Sequence, residues 1–422
     1  MAVTLKDVLL PDRIDPVSVR VQDGRIERIG EPTGWPADAQ VLDGRGKLAL
    51  PGFVNAHTHL AMVLLRGTAD DAPLGAWLEH HIWPQEKALT EEDVYWGASL
   101  ALLESIKAGV VAVADMYFHM DGVARAVEES GLRALLSYGI VAPSMAKGGA
   151  AELAEADRFA ARWHGAAGGR IRVAVSPHTA TTCGEDVWRE AIALARDRGL
   201  RLHTHLSETA GEVSHCLAER GRRPPAYLES LGAFDVPTLA AHCVHVDHEE
   251  QRLLARRDVA VAHCPKSNAK LASGLAPVRG LLDAGARVAI GTDGAASNNR
   301  LDVLDELQFA CLAARIHEGD VRGLTAAEAL RLGTEDGRHA LGLPVSRLQA
   351  GDVADIVLLD LKTPHGIPFN EAPSWLAFSA SAADVTDVIV DGTILMRDRR
   401  VLAVDEERVQ SEVGRLLARR RN

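Results

Sequence analysis

Between Phe53 and about Leu341, short apolar runs alternate with longer amphipathic segments, and the alternation repeats eight times. The apolar runs are FVNAH (53–57), VVAVAD (110–115), RALLSYGI (133–140), RIRVAVS (170–176), LRLHTHL (200–206), TLAAH (238–242), VAVAHC (259–264) and RVAIGTD (287–293). The segments between them carry helix signals. Residues 90–109 open on Thr90 as an N-cap, place acids in the first turn and close with Lys107 before Gly109; 186–199, 247–258 and the stretch before Gly285 read similarly. Strand and helix in strict alternation specify a parallel sheet with crossover helices. Eight such units closing on themselves form a (β/α)₈ barrel of the TIM type.

The ends have a different texture. At 422 residues the chain exceeds the ~250–300 at which one core stops growing, so a smaller second domain is expected. Residues 1–50 and 351–403 carry short alternating runs, and Asp23-Gly24 and Asp391-Gly392 stand where hairpin turns belong. A lone hairpin is marginal in water, so the two ends are predicted to pair. The expected division is a small β-sandwich domain from 1–50 and 345–422 around a barrel at 51–344.

Composition removes several function classes. A formal charge of −12 disfavours a phosphate backbone as partner, because such binding needs clustered Lys and Arg. The one basic cluster, Arg419-Arg420-Arg421, is read as a frayed, solvated tail. The amino end has no signal-peptide core, and no apolar run of about 18 residues suggests a membrane span. Cys183, Cys216, Cys243, Cys264 and Cys311 are odd in number and form no CxxC pair, which suits reduced thiols in a cytoplasm.

Barrel chemistry comes from the carboxyl ends of the strands. Strand one delivers His57 and His59, which project to one face because strand side chains alternate. Strand four delivers SPHT (176–179), strand five HTHLSE (203–208), strand six HCVH (242–245), strand seven HCPKSN (263–268) and strand eight TDG (292–294). Three neutral imidazoles and a carboxylate suit Zn²⁺ or Fe²⁺ with a position left for water. His57, His59, one strand-five histidine and Asp293 supply that set. His205 lies nearer the carboxyl end than His203, so it is assigned to the metal and His203 to an interior layer. Glu208, just beyond the strand, faces the substrate; burial would raise its pKa and let it take and give a proton. Strand four has no lysine, whereas two-metal amide hydrolases of this architecture bridge their ions with a modified lysine there. One divalent metal per subunit is therefore expected, zinc first, with iron also accepted by such donors.

The stretches PGFVNAHTHLAMVLLRGTADDAPLGAWLEHHIWPQE (51–86), HTHLSE, HCVHVD, AHCPKSNAKLASGLAPV (262–278) and IGTDGAASNNRLDVLDE (290–306) resemble the amidohydrolase superfamily. Within it they are similar to the 5′-methylthioadenosine/S-adenosylhomocysteine deaminases and their triazine-hydrolase relatives. The resemblance covers nearly the whole barrel, and the ends also look like the family's β domain. It implies hydrolytic deamination of an adenine ring at C6, with ammonia released from a nucleoside. His57, His59, His205 and Asp293 match the family's metal ligands. Glu208 matches the residue that moves a proton to the ring nitrogen, and His242 the one that orients the nucleophile, with Asp293 accepting the water's proton. Glu86 matches a carboxylate that binds the ribose hydroxyls, and His178 a further substrate contact. His245 is read as a satisfied loop histidine.

One departure bears on substrate choice. Where the family usually shows Ser-Arg-Gly, this chain has Ser137-Tyr138-Gly139, so an arginine near the substrate's distal end is missing and Tyr138 stands in its place. Lys147 is the candidate to compensate. Substrates with a neutral 5′ substituent, such as methylthioadenosine, adenosine or 5′-deoxyadenosine, are then expected to do at least as well as S-adenosylhomocysteine. Another ring on the same scaffold, such as guanine, a pterin or a triazine, stays open. A non-catalytic relative should lack ligands, and none is missing. No nucleic-acid or membrane partner is expected, and apolar surface on the outer helices leaves room for a homo-oligomer.

Overall fold

A computed structural model describes residues 2–37 and 40–421. Eight parallel strands run in sequence order around one sheet: Phe53–Thr58, Val110–Tyr117, Arg133–Ile140, Ile171–Pro177, Arg201–Leu206, Thr238–His242, Ala260–His263 and Arg287–Ile290. Strands one, two, six and seven are buried at every residue, as expected of a parallel sheet covered on both faces. The first long helix, Glu91–Lys107, begins in a reciprocal capping box between Thr90 and Asp93, which satisfies two backbone donors that a helix start leaves orphaned.

The wall closes between strands eight and one largely through side chains. Asn55 Nδ2 donates to Thr292 Oγ1 at 2.7 Å, and Asn55 Oδ1 accepts from the Thr292 amide at 2.9 Å. Just above, the Asp293 amide donates to the His57 carbonyl at 2.9 Å. The amide side chain of Asn55 imitates a rung of the ladder and brings Asp293 beside His57.

The chain ends build two further sheets, one of four strands from residues 2–43 and one of five. In the five-stranded sheet Lys47–Pro51 pairs antiparallel with Ile356–Asp360, joining the two ends of the chain. The two sheets enclose an apolar cluster that includes Val3, Leu5, Val19, Val21, Ile356 and Leu358. Both expected turns are left-handed at both positions, with φ of 49° and 77° at Asp23-Gly24 and 51° and 74° at Asp391-Gly392. This matches the twist of the flanking strands.

The basic end departs from expectation. Residues Glu406–Arg421 form a helix against Glu91–Lys107, tied by Lys107 Nζ to Glu406 Oε2 at 2.8 Å. Arg420 Nη2 donates to the Gln85 carbonyl at 2.9 Å. A helix with a docked face does not fray, and clustered arginines do not by themselves make a tail. Among the described residues no helix is long and apolar enough to cross a membrane, and all five cysteines are free and buried.

Candidate active site

His57 and His59 leave strand one toward the barrel axis, His205 rises from strand five, and Asp293 follows strand eight. Their donor atoms converge. Asp293 Oδ1 lies 3.5 Å from His57 Nε2 and 3.2 Å from His59 Nε2, and the His59 and His205 Nε2 atoms are 3.4 Å apart. A cation with bonds of ~2.1 Å in tetrahedral geometry has ligands about 3.4 Å apart, so the donors stand at the spacing one ion requires. His57 Nε2 is buried with no hydrogen-bond partner among the described residues. A buried polar atom of this kind is costly unless something pairs with it. The donor set thus fits a divalent cation.

The protonation of these groups suits that use. Burial pushes His57 down to about 3 and His205 well below its usual range, so both imidazoles are neutral. Burial opposes charge on His59 as well, but the bond to Asp293 outweighs it and lifts this imidazole to about 9. A divalent cation competes with that proton. Burial likewise opposes ionisation of Asp293, and the imidazoles of His57 and His59 facing it hold the carboxyl well below the usual range. The other oxygen, Oδ2, accepts from Ser267 Oγ at 2.6 Å and Ser297 Oγ at 2.9 Å, leaving Oδ1 directed at the imidazoles.

Glu208 and His242 face each other beside this cluster, with His242 Nε2 3.7 Å from Glu208 Oε2. His242 Nδ1 lies 2.9 Å from Asn268 Oδ1 and donates to it. Burial is the main reason the Glu208 carboxyl is pushed up. The strand exits here are left-handed at Ser207, His242, Cys243 and Asp293, with φ of 49°, 72°, 48° and 60°. Such backbone costs on the order of 1–3 kcal/mol per residue and concentrates where side chains must be aimed.

A cavity of about 760 Å³ opens from His59, lined among others by Glu86, Tyr138 and His178. Glu86 Oε1 accepts from Tyr117 Oη at 2.7 Å, and burial raises its carboxyl. Burial also lowers His178 to about 4, and its carbonyl accepts from His205 Nδ1 at 3.1 Å. Burial and a hydrogen bond to Glu152 push the Tyr138 phenol up. Lys147 does not take the missing arginine's place: it is exposed on the turn Met145–Lys147 and does not line the cavity. The cations on the lining are Lys87 and Arg158, and Arg158 is engaged by Asp121 at 2.8 Å and by Glu155.

His203 and His263 are fully buried deeper in the barrel, and His245 Nε2 bonds the Ser273 carbonyl at 2.7 Å. Residue-level reading missed Asn268, Ser267, Ser297, Tyr117 and Arg158. The first three lie within motifs already noticed, KSN at 266–268 and AASNN at 295–299. Their hydroxyls and amide could have been suspected as supports of the nearby donors, whereas Tyr117 and Arg158 carry no local signal.

The model of the family described as "Amidohydrolase family" matches residues 48–395. The 5-methylthioadenosine/S-adenosylhomocysteine deaminase of Moorella thermoacetica is 46% identical over 401 residues, 94% of this chain and 93% of that one. The 5′-deoxyadenosine deaminase of Methanosarcina acetivorans is 45% identical over 395 residues, 94% and 91% of the two chains. Among solved structures, an adenosine deaminase from Xanthomonas campestris with bound zinc superposes with a TM-score of 0.93 at 32% identity, covering 99% of this chain and 98% of that one.

Proposed function

The chain belongs to the amidohydrolase family, and from that premise we propose that it deaminates adenosine-type nucleosides at C6, releasing ammonia and the inosine analogue. The observation that carries this reading is the convergence of His57, His59 and His205, with Asp293 Oδ1 3.5 and 3.2 Å from the first two, beside a cavity with a buried carboxylate, Glu86, on its wall. His57, His59, His205 and Asp293 would hold one divalent cation, zinc in our reading. When bound, such an ion supplies the Lewis acidity that makes water a nucleophile at neutral pH.

The remaining chemistry falls to the chain's own residues. Glu208, whose carboxyl burial keeps available for protonation, gives a proton to the ring nitrogen next to C6 as the water oxygen bonds to that carbon. Asp293 accepts the proton that water loses. His242, anchored by Asn268 through Nδ1, directs Nε2 at the attacking oxygen. Asp293 passes that proton to the amino nitrogen, the C6–N bond breaks and ammonia leaves, and the hydroxyl hydrogen on C6 returns to Glu208 as the carbonyl forms. Glu86, oriented by Tyr117, binds the ribose hydroxyls, and His178 is a further substrate contact.

The 5′ end is expected to favour neutral substituents. Tyr138 stands where an arginine would, Lys147 lies off the cavity, and of the two cations on its wall Arg158 already has two carboxylates, which leaves Lys87 alone in place of that arginine. A charge-assisted contact is worth about 1.5–3 kcal/mol, so its absence costs a carboxylate-bearing substrate about tenfold or more in kcat/KM. A panel of methylthioadenosine, adenosine, 5′-deoxyadenosine and S-adenosylhomocysteine, with guanine and a triazine as controls, is read by ammonia release. A strong preference for the homocysteine conjugate overturns the neutral-substituent reading, and turnover of the controls alone overturns the adenosine reading.

The same reading takes 1–50 and 345–422 as one discontinuous unit, supported by its separate apolar cluster. Five free thiols support a cytoplasmic setting. Exposed Leu312, Ile316 and Val321 support self-association, which light scattering would detect as a mass that is a multiple of 45.2 kDa.

A further inference from the structure

An imidazole that offers Nε2 to a cation must carry its proton on Nδ1. For His59 and His205 a main-chain carbonyl enforces this, because a carbonyl can only accept: Met116 O lies 2.5 Å from His59 Nδ1, and His178 O 3.1 Å from His205 Nδ1. His57 is held differently. Its Nδ1 lies 2.9 Å from Nε2 of His203, a ring nitrogen that can donate or accept.

The ambiguity is resolved one step further along. His203 is fully buried, and its own Nδ1 lies 3.0 Å from Ser137 Oγ. The Ser137 hydroxyl has one hydrogen and donates it to the Asp115 carbonyl at 3.0 Å. Its oxygen must then accept from His203 Nδ1–H, which leaves His203 Nε2 bare to accept from His57 Nδ1–H. His57 Nε2 is thereby left as a lone pair. In the reversed state Ser137 donates to His203, His203 Nε2–H donates to His57 Nδ1, and the His57 proton sits on Nε2, pointing where the cation would be. The two states carry the same charge and differ only in hydroxyl rotation and in which nitrogen of each ring is protonated.

We infer that Ser137 and His203 are positioning residues that set the tautomer of His57 and thereby complete the cation site. The inference rests on the reading that His57 is a ligand. It goes beyond the interior-layer role that residue-level reading gives His203, and it makes one imidazole donor depend on side chains where its two companions depend on main chain.

The direct test is a two-bond proton–nitrogen spectrum of the metal-free, ¹⁵N-histidine-labelled protein. His57 and His203 are both expected protonated on Nδ1, and an Nε2-protonated His203 overturns the inference. Zinc affinity, measured by competition with a chelating dye, is expected to fall about 10- to 100-fold in His203→Leu. It should return close to the unaltered value in His203→Gln, whose amide oxygen can accept from His57. Equal loss in both variants overturns the relay. Should His203→Leu fail to fold, the spectrum of the unaltered chain decides alone. Zinc binding that is unchanged in His57→Ala would instead sink the ligand reading, an outcome distinct from failure of the relay.

Discussion

Two buried polar clusters sit at opposite ends of the same barrel. At the amino end, Asp355 accepts from Arg133 Nε at 2.8 Å, Arg133 Nη2 at 3.1 Å, Arg338 Nη2 at 2.7 Å and the Asp391 amide at 2.8 Å. Burial alone would raise this carboxyl, but Arg338 and Arg133 outweigh it and hold it below the usual range. At the carboxyl end, three imidazole nitrogens and Asp293 Oδ1 turn toward one another, and His57 Nε2 has no partner among the described residues. A carboxylate whose lone pairs are all taken can only brace: Asp355 ties strand three, the helix Glu335–Ala340 and the end sheets together. A cluster with a lone pair to spare can bind. The difference lies in the two carboxylates: Asp355 accepts from four donors, whereas Asp293 Oδ1 is turned toward the imidazoles.

The sharpest way to break this contrast is to remove a member of the open cluster. In Asp293→Ala or His205→Ala, bound cation should be lost and kcat/KM should fall by more than the ~10⁴-fold attributable to one proton-transfer group, while the fold persists by circular dichroism. Retention of both metal and turnover would end the reading. Asp355→Ala should act the other way. It leaves Arg338 buried without its counter-charge and Arg133 with only Asp391, which costs about 3–5 kcal/mol of stability by denaturant titration, with kcat per folded molecule unchanged. A catalytic defect at full stability would erase the distinction between the two ends. Glu208→Gln should keep the cation and the stability and lose about 10²-fold or more in kcat, which separates proton transfer from cation binding within the open cluster.

The smallest effect is on pH. Burial lifts Glu306, which accepts from Asn298 Nδ2 and the Lys266 amide, from 4.5 to about 8. Between those values the folded chain holds a proton that the unfolded chain has released, so stability is greatest below the lower value and declines as pH rises toward the upper. Asp355, with its carboxyl depressed, contributes in the opposite sense, present above the unfolded pKa and lost as pH falls. Melting temperatures of Glu306→Gln at pH ~5.5 and ~8.5 should therefore differ less than those of the unaltered chain.

What was legible in the sequence was local. Strands three and six are bounded to the residue, strands one, four and five to within one, and the Thr90 cap and both Asp-Gly turns lie where their chemistry put them. The eight-stranded barrel with its end-built sheets follows from those signals, since period and turn residues act over a few positions. Asn55 and Thr292, by contrast, lie 237 residues apart, and Arg133 lies 222 from Asp355. No periodicity connects such pairs; only the completed barrel brings them together. The same limit explains Lys147: a lysine in the right loop says nothing about which way the loop faces, and the cavity wall instead draws Arg158 from the following helix.

The seam where the wall closes has a mechanical consequence. His57 and His59 stand on one stave and Asp293 on the next, and between them the joint is held by two bonds from Asn55, one from Thr58 and one main-chain bond from Asp293 to His57. A cation gripped from both staves is a rivet through that joint. Stripping it with a chelator should lower the melting temperature as well as silence the enzyme, because metal bound only by the closed form adds its binding free energy to the wall.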